Sequence, residues 1–477
     1  MTFLEFLQFW FHTLSISMLL FSLVVMSSYL LLVILALPDL KKYQKKNELL
    51  NYQPVLNSPL APWLSVIAPA YNEANSIDDA VRSLMNLNYH QYELIVVNDG
   101  SKDETLAILK NKYELYLTDE EPTYYLPCAD IIGIYRSKNP AFSKLVVIDK
   151  KNAGSKADAM NAGINICQHP YFVAIDADCV LDKNTLLVLS KPFMENRKHP
   201  LIAAGGVVRV ANGCKVEGGQ MKEIRVPHSF WAKIQVIEYL RAFLIGRIAW
   251  NKMDGLLIVS GAFGMFDKQT VIDCGGYYTK SIGEDMELVV RMRKMMRNQG
   301  RDYEIAFIPD PLCWTEVPGS LKILAKQRRR WSRGTIQTIW LHREMFFNPK
   351  YRFLGLISVP YWFFFEYLAP MIEFFGIFIT ILLGVYGMIS WKFLILIQTF
   401  IYSFSVMFSF FGLYAEEQSY HQYAEPRDIR KLVFAAILEP FLFHPIIFIT
   451  AIQGLWEMLR GKEGWAEMKK EGFSNGG

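Results

Sequence analysis

The first 37 residues contain no lysine or arginine and one charged side chain, Glu5. A cleaved secretory leader needs a basic start and a small-residue cleavage site, so this segment does not read as one. Its apolar run, residues 14–37, is long enough for one membrane crossing, and the whole segment is too short for two with a loop. The six cysteines form no C-x-x-C pair and all lie between 128 and 313. Free, mostly buried thiols in a reducing compartment are expected. The net charge is only +4, so nucleic acid is not an expected partner. Internal repeats and low-complexity tracts are also lacking.

What is present is an uneven mixture. Hydrophobic residues make up 52% of the 477 and charged residues 20%. That is too apolar for an average soluble enzyme and too charged for a chain wholly within a membrane. Two or three domains are expected, one of them large enough to bury a core. Residues 1–40 read as an amino-terminal transmembrane helix. Lys41, Lys42, Lys45 and Lys46 follow at once. Excess positive charge stays inside, which predicts an external N-terminus, a cytoplasmic middle domain and a multi-pass protein of the cell membrane, with the lipid bilayer as a partner.

Residues 61–345 alternate short apolar runs with amphipathic stretches. The runs at 64–68, 92–97, 144–149 and 171–175 read as strands, and 77–87 and 155–167 as helices. Alternation of this kind predicts an α/β domain with a mainly parallel sheet. Ligands on such sheets sit beyond the carboxyl ends of the strands, where Tyr71, Glu73, Asp99, Asp176 and Asp178 fall. The stretch 110–140 shows no period and reads as a long loop.

Residues 346–457 read as interfacial and transmembrane helices. An interfacial helix ending near Pro370, a span over 371–388 and another over 393–413 fit the apolar lengths. A charged loop, 415–431, comes next. The apolar run 432–455 is interrupted by Glu439-Pro440 and His444-Pro445, which predicts a re-entrant or interfacial segment. A cytoplasmic tail, 458–477, carries Arg460, Lys462, Lys469 and Lys470. Glu366, Glu373 and Glu439 read as lining or bracing an acceptor or translocation path through the membrane region, with Glu366 and Glu373 alternatively reaching the interface or pairing with a nearby Arg.

Within the middle domain the polar residues fall in separate short clusters. Asp176-Ala177-Asp178 ends an apolar run, and alternating carboxylates there can hold Mg2+ or Mn2+ with substrate phosphates, or simply cap a turn. Asp99 in Val97-Asn98-Asp99-Gly100-Ser101 is either an acceptor for a uracil N–H or a turn residue, and Tyr71-Asn72-Glu73 has the same two readings. Lys156 opens a helix, an unfavourable place for a cation unless an anion lies there. Glu284-Asp285 after Gly283 is a helix cap or a general base with its neighbour. Gln327-Arg328-Arg329-Arg330-Trp331 is dense in cations that clamp phosphate and carries a flat aromatic face for a sugar or base. Its arginines also suit lipid headgroups.

Taken in order, Tyr71-Asn72-Glu73, Asp99, Lys156 to Asn161, Asp176-Ala177-Asp178, Ser260-Gly261, Gly283-Glu284-Asp285 and Gln327 to Trp331 resemble the membrane-embedded processive family 2 glycosyltransferases. These include cellulose, chitin, hyaluronan and poly-N-acetylglucosamine synthases. The resemblance covers residues 61–340 well and the membrane part in outline. It implies a GT-A domain that binds a UDP-sugar. Asp99 and Glu73 would meet the nucleoside, with Tyr71 and Lys156 also on the donor side. Asp176 and Asp178 would serve diphosphate and metal. Asp285 would be the base with Glu284 beside it, and Ser260 and Gly261 would lie near the acceptor. Gln327, Arg330 and Trp331 would close over pyrophosphate and acceptor sugar. Asn98 stands where many members carry a second acid, and no cyclic-dinucleotide sensor is expected after the spans.

The expectation is an inverting, metal-dependent transferase that extends a polysaccharide from a UDP-hexose or UDP-N-acetylhexosamine at the cytoplasmic face, exporting through its own spans or with an accessory membrane subunit. Its acceptor would be a glycan or a lipid-linked sugar. Transfer of a single sugar to a lipid is the first rival. A transporter or scaffold with a degenerate transferase domain is the second, and the intact acidic and Gln-x-x-Arg-Trp residues argue against it.

Overall fold

The four apolar runs become the centre of a ten-stranded sheet. The computed structural model describes residues 3–48, 58, 61–195, 197–388 and 390–461. The strands are Leu64–Ala70 (β1), Tyr92–Asp99 (β2), Leu115–Leu117 (β3), Ile131–Ser137 (β4), Leu145–Lys150 (β5), Tyr171–Ile175 (β6), Cys179–Leu181 (β7), Leu201–Val210 (β8), Lys215–Glu217 (β9), Gln220–Glu223 (β10), Phe263–Asp267 (β11) and Glu304–Thr315 (β12). The main sheet runs β3-β4-β5-β2-β1-β6-β11-β8-β12-β7, and β9 with β10 forms a separate ribbon. Its central strands are apolar and covered on both faces, as parallel strands must be. All eight residues of β2 are buried. Each such Val, Leu or Ile contributes roughly 1.5–3 kcal/mol.

Two expectations change here. The order β5-β2-β1-β6 is parallel, but β3–β4, β4–β5, β6–β11, β11–β8 and β7–β12 are antiparallel. The sheet is therefore mixed rather than mainly parallel. The stretch 110–140 is not one long loop. It contains β3 and β4, whose edge position and partial exposure hide the alternation that would mark them.

The antiparallel β11 matters for function. Phe263 pairs with Ile175, so the turn before β11 arrives at the same sheet edge as the carboxyl end of β6. Ser260, Gly261 and Ala262 thus stand beside Asp176, whose amide donates to the Ala262 carbonyl at 3.0 Å.

Among the described residues three helices are long and apolar enough to cross a membrane, Ile16–Asn47, Leu354–Val385 and Leu394–Ser419. The second is one helix with wide π turns at Leu354–Ser358 and Trp362–Leu368; no break separates an interfacial helix from a span at Pro370. Pro426–Leu442 and His444–Leu459 meet at a 49° bend. The expected charged loop at 415–431 is shorter, because Trp391–Ser419 and Pro426–Leu442 take up most of it.

These helices are fastened to the sheet domain by buried polar contacts. Tyr43 donates its hydroxyl to Asp310. Glu416 pairs with Arg209 of β8, and Val226 N donates to Asp428 at 3.3 Å. The bent pair follows the domain along its length. Asp428 stands near Arg225 at 3.9 Å, Phe443 packs with Ile234 and Leu324, and Glu457 approaches Arg329 at 3.4 Å and Arg333 at 3.8 Å. Of the tail 458–477, residues 462–477 lie outside the described residues.

Candidate active site

Two chain segments meet at Gly261, and a third packs beside them against the loop before Glu284. The first is Lys156, at the start of helix Lys156–Ile166. Its ammonium pairs with Asp176 and donates to the Gly261 carbonyl at 2.8 Å. Burial disfavours its charge, yet Asp176, Glu284 and Asp285 together hold its pKa above the ordinary lysine value. The unfavourable helix-start cation is thus explained by three carboxylates.

The second is Glu284-Asp285, at the start of helix Glu284–Asn298. Carboxylates suit that end of the helix dipole. A Cβ on residue 261 would lie 2.5 Å from Asp285 Oδ2, so only glycine leaves the Asp285 carboxylate open to the site. The Asp285 Oδ1 accepts from Met286 N at 2.8 Å. Glu284 is buried. Burial first, then the charge of Asp285, push its carboxyl up to about 7, against the pull of Lys156 and Arg330.

The third is helix Leu321–Leu341. Gln327, Arg330, Gly334 and Gln337 recur on one face. That face crosses the loop before Glu284, where Gln337 accepts from Ile282 N at 3.1 Å and donates to Lys280 O at 3.0 Å. Gln327 is buried, and its Oε1 has no hydrogen-bond partner among the described residues. Trp331 is 39% exposed, a flat ring available to a ligand.

Asp176, Asp178 and Cys179 bring ligand atoms within 4.8 Å of one another. Two carboxylates at a strand end fit a hard divalent cation. The thiol does not: its contact with Cys313 and its burial raise the Cys179 pKa, so it stays protonated, and soft sulfur is a poor ligand for Mg2+ or Mn2+.

Asp99 ends β2, two strands from β6 with β1 between them. It is buried against Lys150, which also reaches Asp158 at 2.6 Å, and Asn152 donates to it at 3.3 Å. Burial raises its pKa despite Lys150. Asn98, in place of an acid, donates to Asp149 at 2.7 Å. Asn72 sits at φ 55° and ties the turn to Ser101 and Lys102, while Glu73 accepts from Ser76 at 2.6 Å. Tyr71, Glu73 and Asp99 therefore form a rim beside the acidic cluster. Ser260 is buried and accepts from Ala262 N at 3.3 Å.

Three further residues belong here and were not singled out by motif. Tyr277 lies in the field of Glu284, Asp285 and Asp176, and burial raises its pKa. Burial lowers Arg247 to about 10, opposed by nearby Asp285. Glu238 holds Arg328 at 2.6 Å. The available signal was charge inside a largely apolar helical stretch: Glu238, Arg241 and Arg247, with Lys233, interrupt residues 230–250.

Residues 65–126 match the profile of "Glycosyl transferase family 2" and residues 137–334 that of "Glycosyltransferase like family 2". The chain is 28% identical over 303 residues to a poly-beta-1,6-N-acetyl-D-glucosamine synthase of Staphylococcus aureus, covering 63% of this chain and 61% of that one. It is 30% identical over 273 residues to the synthase of that name from Staphylococcus epidermidis, covering 57% and 54%. The match thus spans less than two thirds of those relatives' length. A mannosyltransferase from Pyrobaculum calidifontis, solved with GDP-Man and Mn2+, superposes with a TM-score of 0.54 at 15% identity over 94% of this chain and all of that one. The shared fold is GT-A.

Proposed function

This chain belongs to the family 2 glycosyltransferases through its sheet domain, and on that premise we propose that it is an inverting synthase that extends a polysaccharide from a UDP-N-acetylhexosamine or UDP-hexose. The observation that carries the reading is the meeting of Lys156 and Asp285 at the bare backbone of Gly261, with Asp176 paired to Lys156 and with Glu284 and Arg330 in the same field. The names of the staphylococcal relatives favour N-acetylglucosamine and a polymer.

In this reading Asp176 and Asp178 would hold Mg2+ or Mn2+, which would supply positive charge to the diphosphate. Lys156, Gln327 and Arg330 close on the same phosphates as hydrogen-bond donors. Tyr71, Glu73 and Asp99 form the nucleoside rim. Asp285 takes the proton of the acceptor hydroxyl. The freed oxygen attacks the anomeric carbon opposite the nucleotide, the bond to the diphosphate breaks, UDP leaves, and the configuration inverts. Glu284, its carboxyl pushed up to about 7 by burial and by Asp285, stands beside the base. Ser260, Gly261 and Trp331 border the acceptor sugar.

The lysines after the first helix support a cytoplasmic catalytic face, and the contact of the 426–459 bend with the domain supports a re-entrant or interfacial segment there. A panel of UDP-sugars with product sizing tests the proposal. Long chains from one UDP-sugar support it; a single-sugar lipid product, or no UDP release from any donor, contradicts it.

A further inference from the structure

Arg328, inside the Gln-x-x-Arg-Trp stretch, does not face the acidic cluster. It is 4% exposed, and its guanidinium lies 4.2 Å from the centre of the Trp331 ring and 5.4 Å from that of Phe443. It donates to Glu238 at 2.6 Å and to Gln235 at 3.4 Å. The two rings and the two acceptors hold the planar group in a fixed plane.

That plane is continuous with the membrane helices. Phe443 is the residue between Pro426–Leu442 and His444–Leu459. Glu238 stands one turn from Arg241, which pairs with Glu439 at 3.0 Å and donates to Ser409 at 2.8 Å. His444 in turn lies 3.9 Å from Glu439 and 3.8 Å from Glu373.

The Arg328–Glu238 pair is poorly built for stability. Arg328 Nε and Glu238 Oε2 are buried without hydrogen-bond partners among the described residues. Buried ion pairs with unmet atoms seldom repay their desolvation, so a fixed pose is the better account of why it is there. The side chain so posed is the exposed ring of Trp331, which a free rotamer would scatter.

We propose that Arg328 is a positioning residue: clamped by Glu238 and Phe443, it sets the plane of Trp331 on which an acceptor sugar stacks and ties that plane to the bent helix pair. The proposal rests on the reading of Trp331 as an acceptor surface.

Two readouts test it on the full chain in detergent. The first is independent of activity. With 5-fluorotryptophan incorporated, the Trp331 resonance is identified by its loss in Trp331→Phe. Arg328→Lys, which keeps charge but loses the planar stack, and Glu238→Gln, which spares Arg328, should each shift or broaden that resonance. A resonance unchanged in both variants overturns the proposal. The second uses UDP-N-acetylglucosamine and an N-acetylglucosamine oligomer. Arg328→Lys should raise the acceptor KM about fivefold or more while donor KM and UDP release to water stay within about twofold. In combination with Trp331→Phe it should add nothing. Equal loss toward donor and acceptor, or additive losses, overturns it. If the wild type releases no UDP from this donor, the functional reading fails, and the fluorine resonance still decides the positioning claim.

Discussion

Gly283 and Gly334 touch backbone to backbone: a Cβ on residue 334 would lie 2.9 Å from both Cα and N of Gly283. This contact sets how closely the helix carrying Gln327, Arg330 and Trp331 approaches Glu284 and Asp285. Gly334→Ala should push the two apart, costing about 1–3 kcal/mol as overpacking does, and should lower UDP release more than donor binding. Thermal unfolding and donor titration check this; a variant with normal turnover contradicts it.

The pH dependence of stability reports on Glu284. Its carboxyl is raised from 4.5 to about 7 by burial and by Asp285. The folded protein therefore keeps a proton that the unfolded chain gives up. The stability from this group is fully present below pH 4.5 and is lost as pH rises through about 7. Glu284→Gln, which mimics the protonated form, should flatten the dependence of Tm on pH across that window. Parallel curves for wild type and variant would show that Glu284 does not carry the proton.

In the proposed function, metal use would rest on Asp176 and Asp178. Asp178→Ala should abolish transfer, and chelation should stop the wild-type reaction with recovery on adding Mg2+ or Mn2+. Because the Cys179 thiol is held protonated, Cys179→Ala should leave the metal requirement unchanged. Full activity in excess chelator contradicts the assignment.

Glu439 reads differently in sequence and structure. As an acid in an apolar run it suggests a wet path; in the fold it is the buried partner of Arg241 at 3.0 and 3.2 Å. Removing one partner of such a pair strands the other charge and costs about 3–5 kcal/mol. Glu439→Ala should thus lower the unfolding temperature, whereas Glu373→Gln, with His444 no closer than 3.8 Å, should not. Equal stability of the two variants contradicts the distinction.

Much of this was legible in the chain. Strands β1, β2, β5 and β6 announced themselves because they are buried on both faces and so read as unbroken apolar runs. Their polar ends marked Asp99 and Asp176. The edge strands β3 and β4 did not, since half-exposed strands with Tyr116, Arg136 and Ser137 carry no such run. Antiparallel pairing of β11 was not legible either; it depends on where Phe263 meets Ile175, which no local pattern encodes. Nor were the partners of the site. The motif set Arg330 apart and left Arg328 between a phosphate and a lipid role; packing shows Arg328 facing Glu238, with Arg330 in the field of Glu284.

The central claim is that Asp285 accepts the acceptor proton while the donor is held elsewhere. Its most direct test compares wild type with Asp285→Asn, measuring UDP release from labelled UDP-N-acetylglucosamine and donor affinity in the same membranes. The account predicts a loss of about 10²–10⁴ in turnover with donor affinity kept. Near-normal turnover in Asp285→Asn would reduce Asp285 to a helix-end carboxylate and contradict the account.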